Sequence, residues 1–296
     1  MGAIRPRVNV TGDIPERVLA ALAADFELAG APLDVDGVLA LIPTRVDDGF
    51  LARAGPRLRI VANYGVGVDN IDLDAARSRG VVIANTPDVL TKATAEQAIA
   101  LTLALLRRVA EGDRFLRRRA EWRFSLEFML GESLDGKTVA IVGPGRIGRE
   151  TARLAEAHGA AVLFVGRRDS LHDALRVADV VSLHVPATPE TRHLIDARAL
   201  GAMKPTAVLV NTARGTIVDE AALIGALRSG QIAGAALDVF EFEPDVSPEL
   251  LELENVVLTP HLGSATRETR EAMGLLAVSA LRALLIDGVR PANVVP

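Results

Sequence analysis

The sequence predicts an α/β protein: a doubly wound parallel sheet, with a second, smaller α/β unit in the same chain. Three observations lead there. The run Thr138-Val139-Ala140-Ile141-Val142 reads as a strand buried on both faces, and it leads directly into Gly143-Pro144-Gly145-Arg146-Ile147-Gly148 and a helical pattern, with Ile147, Thr151, Leu154 and His158 on one face. Strand and helix patterns alternate regularly from Leu134 onwards. Finally, 49% of the 296 residues are apolar but only 3% are aromatic, so the core must be Ala, Val and Leu, which suits helices packed on parallel strands.

This length suggests about two domains. A net charge of -5 and a pI near 5.6 argue against a general nucleic-acid binder, because there is no global basic field. Without cysteine there is no disulfide framework, thiolate metal site or cysteine nucleophile, and no metal is expected. Met1 to Val10 carries Arg5 and Arg7 but no apolar run of signal-peptide length, and nothing reaches the roughly 20 apolar residues of a membrane span. A soluble, cytoplasmic protein with neither nucleic-acid nor membrane partners is expected.

Residues 1–92 read as strands at Val8 to Val10, Val38 to Ile42, Arg59 to Ala62 and Val81 to Ala84, with helices starting at Pro15 and Asp47. The loop Asn63 to Asp72 follows one of these strands and contains Gly65 and Gly67, whose backbone could face an anion. Tyr64, the only tyrosine, is either core or pocket wall. Asn85-Thr86-Pro87 ends this unit, and a long helix is expected from Thr94 to Arg108. Arg114, Arg117, Arg118, Arg119 and Arg123 then surround Trp122, as a charged helix face or a subunit contact.

The remaining strands are Ala161 to Val165, Val180 to Leu183, Ala207 to Asn211, Ala233 to Leu237 and Val256 to Leu258. Helices are expected at Arg146 to His158, around Leu171 to Ala178, at Ala197 to Met203, Glu220 to Ser229, and Thr266 to about Ile286. The last is long enough to return the tail to the first unit. The expected organisation is a dinucleotide-binding Rossmann domain over 93–274 and a discontinuous flavodoxin-like substrate-binding domain over 1–92 and 275–296, with a cleft between them.

The glycine turn suits a dinucleotide: Gly143 for the tight turn, Gly145 for backbone approach to a pyrophosphate, Gly148 for close helix packing. The helix N-terminus favours the phosphates. Strand two ends Val165-Gly166-Arg167-Arg168, with arginines where NAD-binding folds usually place an acid for the ribose. Two guanidinium groups and no carboxylate favour a 2'-phosphate, so NADP(H) is preferred over NAD(H). Asp169 takes the ribose role if the strand runs longer.

Five histidines occur. His158 is expected to pack on the sheet, His172 lies in a surface-type helix, and His193 lies in a polar run. His184 ends a strand and either approaches the cofactor or is a satisfied buried histidine. His261, in a polar loop after the last strand, is the best acid-base candidate. Two other strand ends place Arg214 and the carboxylates of Asp238 to Glu243 at the same edge. A carboxylate bonded to His261 would favour imidazolium and fix its tautomer, and the arginine would grip an anionic substrate. Together they suit hydride transfer to a 2-oxo acid.

These motifs, with Gly65 to Asp72, Asn85 to Thr91, Asn211 to Gly215, Asp238 to Pro244 and Thr259 to Ser264, resemble the D-isomer-specific 2-hydroxyacid dehydrogenases over essentially the whole chain. Within that family the chain looks most like the glyoxylate/hydroxypyruvate reductase branch. The resemblance implies that His261 is the general acid in reduction, with Glu243 as its partner and Glu241 as the competing choice. It implies that Arg214 binds the substrate carboxylate with the N–H groups of Val66 and Gly67, and that Asp238 binds the nicotinamide carboxamide. Arg146 and Ile147 would meet the pyrophosphate, and His184, Pro186, Thr191, Thr212, Ala213 and Gly263 would complete the cofactor's surroundings. Pro144 lacks an N–H between the first two glycines, but the family's donors follow Gly145. No regulatory domain is expected beyond Pro296. A homodimer through Arg114 to Leu134 is expected, and the substrate pocket is expected to be shaped by loops near Leu41, Tyr64 and Trp122. The alternatives are a 3-phosphoglycerate or phosphite dehydrogenase and, from another class, a dinucleotide-sensing corepressor.

Overall fold

The structure is a computed structural model describing residues 5–295, so the first four residues of the stretch searched for a targeting signal lie outside it. The chain forms two compact units, one running to Leu90 and resuming at Ala265, the other spanning Thr91–Ser264. Among the described residues no helix is long and apolar enough to cross a membrane.

The smaller unit opens with β1 (Arg7–Val10), α1 (Glu16–Asp25), β2 (Glu27–Ala29), β3 (Gly37–Ala40), α2 (Asp48–Ala54), β4 (Ile60–Asn63), α3 (Leu73–Ser78) and β5 (Val82–Ala84). Its strands are all parallel in the order β2-β1-β3-β4-β5, that of flavodoxin-like sheets. β3 and β4 are buried throughout, which is why they read as continuous runs. β2 is an edge strand with Glu27 and Leu28 exposed, so neither burial nor alternation marks it in the sequence. Asp47 and Asp72 start α2 and α3 by accepting the N–H groups of Phe50 and Ala75.

The larger unit contains α4 (Thr91–Leu106), α5 (Val109–Arg117), β6 (Thr138–Val142), α6 (Arg146–Ala157), β7 (Ala161–Val165), α7 (Leu171–Val177), β8 (Val180–Leu183), α8 (Ala197–Ala202), β9 (Val208–Asn211), α9 (Glu220–Arg228), β10 (Gly234–Leu237), α10 (Pro248–Leu251) and β11 (Val256–Leu258). Six parallel strands lie in the order β11-β10-β9-β8-β6-β7. Ala140, Val142, Val181, Leu183 and Leu209 pack with Leu175 of α7, Leu200 of α8 and Leu223 of α9. Their neighbours Val139, Ile141, Val180, Val208 and Val210 pack with Ile99 and Leu101 of α4 and Ala152 and Ala155 of α6. The chain leaves β6 to one side for β7 and returns to the other for β8, so the strand order reverses at β6. Ligands of such sheets bind outside the strands' carboxyl ends at that reversal.

Several expectations are corrected. His158 does not pack on the sheet: α6 stops at Ala157, and His158 is its exposed cap, with Nδ1 donating to the Leu154 carbonyl at 2.8 Å. The long helix ends at Leu106, and Arg108, at φ 54°, starts α5. The five arginines do not share one helix, because α5 ends at Arg117. Arg114 and Arg118 both pair with Glu254, and Trp122 stacks on Phe128 with ring centroids 6.1 Å apart.

The chain re-enters the smaller unit with α11 (Arg267–Leu285), whose first turn Thr266 caps. Tyr64 is core, 4% exposed, and its hydroxyl donates to the Arg270 carbonyl of α11. α11 also approaches α1 so closely at Gly274 that a Cβ there would lie 2.5 Å from Val18 Cγ2 and from the Tyr64 hydroxyl. Gly274→Ala gains about 1 kcal/mol of helix propensity but incurs about 1–3 kcal/mol of overpacking. The expected outcome is a lower urea midpoint for this unit; a higher one would show that the contact relaxes freely.

Candidate active site

The three glycines of the turn have separate steric reasons. Gly143, at φ 95°, lies so close to the His184 carbonyl group that a Cβ would come within 2.8 Å of it. Gly148 packs on the same turn, its Cβ position 2.4 Å from the Gly143 carbonyl oxygen. Gly145 faces open space, with nothing within 4 Å of its Cβ position. Close packing at the first and third glycines with room at the second is a cradle a side chain would fill. At the end of β9, two strands along the sheet from β6, the buried Thr212 hydroxyl has no hydrogen-bond partner among the described residues. Both features fit a dinucleotide, with Arg146 and Ile147 opening α6 beside it.

The Nε2 of His184 lies 2.9 Å from the Ser182 hydroxyl, while its main chain abuts Gly143. Burial pushes its pKa down to about 4, so the ring is neutral at pH 7. Thr191 braces its own loop by donating to the Pro186 carbonyl at 2.7 Å. At the end of β7, Arg167 and Arg168 are exposed. The strand stops at Val165, and Asp169 folds back to accept the Gly166 N–H at 2.7 Å.

The catalytic candidates stand on the loops after β9, β10 and β11. Asp238, directly after β10, has no exposed surface, and its carboxylate is filled from the β11 loop. Oδ1 accepts the Thr259 hydroxyl at 2.5 Å and the Leu262 N–H at 2.7 Å, and Oδ2 accepts the Gly263 N–H at 2.7 Å. Gln97 of α4 donates to the same hydroxyl at 3.2 Å. At the end of β9, the Asn211 side chain accepts from the Ala213 N–H and donates to the Arg214 carbonyl, which holds the loop presenting Arg214.

Glu243 joins the loops. Its Oε1 accepts the Phe240 N–H at 2.9 Å, and its Oε2 lies 2.9 Å from Nδ1 of His261. Both side chains are about one-third exposed. Burial pushes the Glu243 carboxyl up, but the bonds from His261 and Phe240 and the charges of His261 and Arg214 outweigh it, and the net direction is down. Its stabilising contribution is therefore complete above the ordinary carboxylate range and lost only as pH falls through the lowered value. A carboxylate only accepts, so Nδ1 of His261 carries the proton and Nε2 is left for other chemistry.

Glu241 is engaged elsewhere: its Oε1 lies 2.7 Å from Nε2 of His193 and 3.1 Å from Arg192. His193 and Asn211 were not legible as site residues. A polar residue in a loop gives no sign of a partner nearly fifty positions away, and a buried strand-end Asn reads as any polar cap.

In the smaller unit, the Asn63 and Asn85 side chains donate to the carbonyls of Gly67 and Val66 at 2.7 and 2.8 Å. These bonds use the carbonyls and leave the N–H groups of Val66 and Gly67 without an acceptor among the described residues.

The profile of the D-isomer specific 2-hydroxyacid dehydrogenase NAD binding domain matches residues 99–263. Glyoxylate reductase from Pyrococcus furiosus is 44% identical over 97% of this chain and 95% of its own length. Glyoxylate reductase from Aeropyrum pernix is 43% identical over 98% and 96%. Among solved structures, a protein from Thermus thermophilus is similar with a TM-score of 0.92 at 42% identity, covering 98% of this chain and 100% of that one. The NADPH-dependent glyoxylate/hydroxypyruvate reductase of Sinorhizobium meliloti, in complex with NADP and malonate, gives a TM-score of 0.87 at 38% identity, covering 98% and 97%.

Asp238→Asn turns an amide NH2 toward at least one of the donors that now fill the carboxylate. The expected cost is about 1–3 kcal/mol, read as a lower urea midpoint of the larger unit. An unchanged midpoint would mean that water or a shifted loop replaces these bonds.

Proposed function

The chain belongs to the D-isomer-specific 2-hydroxyacid dehydrogenase family, oxidoreductases that act on the CH–OH group of a 2-hydroxy acid with a nicotinamide dinucleotide, and we propose that it is an NADPH-dependent glyoxylate/hydroxypyruvate reductase. The observation that carries the chemistry is the Glu243–His261 pair at 2.9 Å with the charge of Arg214 beside it. When bound, the reduced nicotinamide supplies a hydride to the carbonyl carbon. His261 delivers the proton to the carbonyl oxygen from Nε2, because Glu243 holds its other nitrogen. Arg214 grips the substrate carboxylate and draws charge from the carbonyl. The product has the D configuration wherever a stereocentre forms.

The NADPH preference is supported by Arg167 and Arg168 and by Asp169, whose carboxylate is turned onto Gly166. The smaller unit is assigned to the substrate and the larger to the cofactor. A homodimer is the assembly that covers an exposed apolar stretch, in which Leu116, Trp122, Phe124, Leu126 and Leu130 are 53–83% exposed.

The test is initial rate with glyoxylate, hydroxypyruvate and a bulkier 2-oxo acid, each with NADPH and with NADH. Faster turnover of the small acids with NADPH is expected, and His261→Ala should abolish it while cofactor binding persists. Arg167→Ala with Arg168→Ala should raise the KM for NADPH by about tenfold to a hundredfold and leave that for NADH nearly unchanged. Preference for NADH would remove the arginine assignment, and no turnover of any 2-oxo acid would remove the substrate assignment. Equilibrium sedimentation should give twice the chain mass of 31.3 kDa; a monomer would refute the dimer.

A further inference from the structure

Glu220, the first residue of α9, is a buried carboxylate that takes no part in this chemistry: it is 4% exposed, and its side chain binds the loop that carries Glu243. Oε2 accepts the Glu241 N–H at 3.1 Å, and Oε1 accepts the Ser247 hydroxyl. The bond is returned, because Oε2 of Glu241 accepts the Glu220 N–H at 3.3 Å. That N–H is one of those a helix leaves unpaired at its start. Two segments far apart in the chain are thus joined by reciprocal carboxylate-to-amide bonds, as the two ends of a capping box are joined within one helix. The start of α9 also suits a buried anion, since its N–H dipoles point there.

The same peptide touches the loop of Arg214. A Cβ at Gly215 would lie 1.8 Å from the carbonyl group of Phe240 and 2.4 Å from the nitrogen of Glu241. The Phe240–Glu241 peptide is therefore held by Gly215 and by Glu220, and Phe240 is the residue whose N–H orients Glu243. Glu243 can meet Nδ1 of His261 only while that loop keeps its place.

From these contacts we infer that Glu220 is a positioning residue for the Glu243–His261 pair, setting the loop at which the carboxylate meets the imidazole. This rests on the reading of that pair as the acid-base couple. A neutral side chain would anchor a loop without burying a charge, whereas Glu220 supplies the two acceptors that the Glu241 amide and the Ser247 hydroxyl need.

The test is a double-mutant cycle. Glu220→Ala and Glu220→Gln are made in the wild-type protein and in Glu243→Ala, and kcat and KM are measured with glyoxylate and NADPH, together with the thermal midpoint. Glu220→Ala is expected to lower kcat about tenfold or more in the wild-type protein, and less than about twofold where Glu243→Ala has already broken the pair. Glu220→Gln keeps an acceptor for the Glu241 amide and should retain most of kcat. Equal losses in both backgrounds would overturn the proposal, leaving Glu220 with a stabilising role alone. If Glu220→Ala does not fold, Ser247→Ala, which removes a single bond, takes its place in the cycle.

A readout without turnover separates this from the function. The hydrogen-bonded Nδ1–H proton of His261, assigned in the NMR spectrum by its absence in His261→Ala, should be lost in Glu220→Ala and kept in Glu220→Gln. Its persistence in Glu220→Ala would overturn the positioning role. Loss of the signal as expected, in a protein that turns over no 2-oxo acid, would support the positioning role and remove the proposed function.

Discussion

The carboxylate of Asp238 is the constraint on which the rest of the site depends. A carboxylate without exposed surface is tolerated only if its lone pairs are met, and here one hydroxyl and two amides meet them. All three donors lie on the loop after β11, so satisfying the charge and fixing that loop are one event. Main-chain bonds complete the node: the Asp238 N–H donates to the Asn211 carbonyl, and the His261 N–H donates to the Asp238 carbonyl. His261 is held at φ 54°, a backbone region that costs roughly 1–2 kcal/mol for an L-residue and persists where its surroundings over-determine it.

Reacting groups and holding groups are separate residues. Arg214, Glu243 and His261 stand on irregular loops, yet each loop has its own brace: Asn211 for the first, the Phe240 amide with Glu220 for the second, and Asp238 for the third. Loops are usually the mobile part of a fold, but these have most of their polar groups engaged within the protein. The charge arrangement follows. The carboxylate of Glu243 lies within reach of both His261 and Arg214, which favour its ionised form despite burial.

The scarcity of aromatic residues has a structural use. α6 meets the sheet with Gly148, Thr151, Ala152 and Ala155, and small side chains let the helix lie close. Its first turn therefore sits directly at the end of β6, where Gly148 almost touches the Gly143 carbonyl. Larger residues on that stripe would lift the helix and take its N-terminal amides away from the crevice at the strand reversal.

The sequence by itself determined the strands of the larger sheet, because strands buried on both faces must be apolar throughout and glycine turns must stop them. It also determined the chemistry at each strand end: arginine after β9, carboxylates after β10 and histidine after β11. It did not reveal β2, whose exposed edge carries no periodic signal, or the end of α6 at Ala157, where His158 still matched the helical spacing. Residue spacing left two glutamates as partners for His261. The motif resemblance pointed to Glu243, and the tertiary structure pairs Glu243 with His261, sends Glu241 to His193, and fills Asp238 and Glu220 with donors from other segments. Such pairings join residues far apart in the chain through hydrogen bonds a few ångströms long, so they exist only once the sheet has brought the strand ends together.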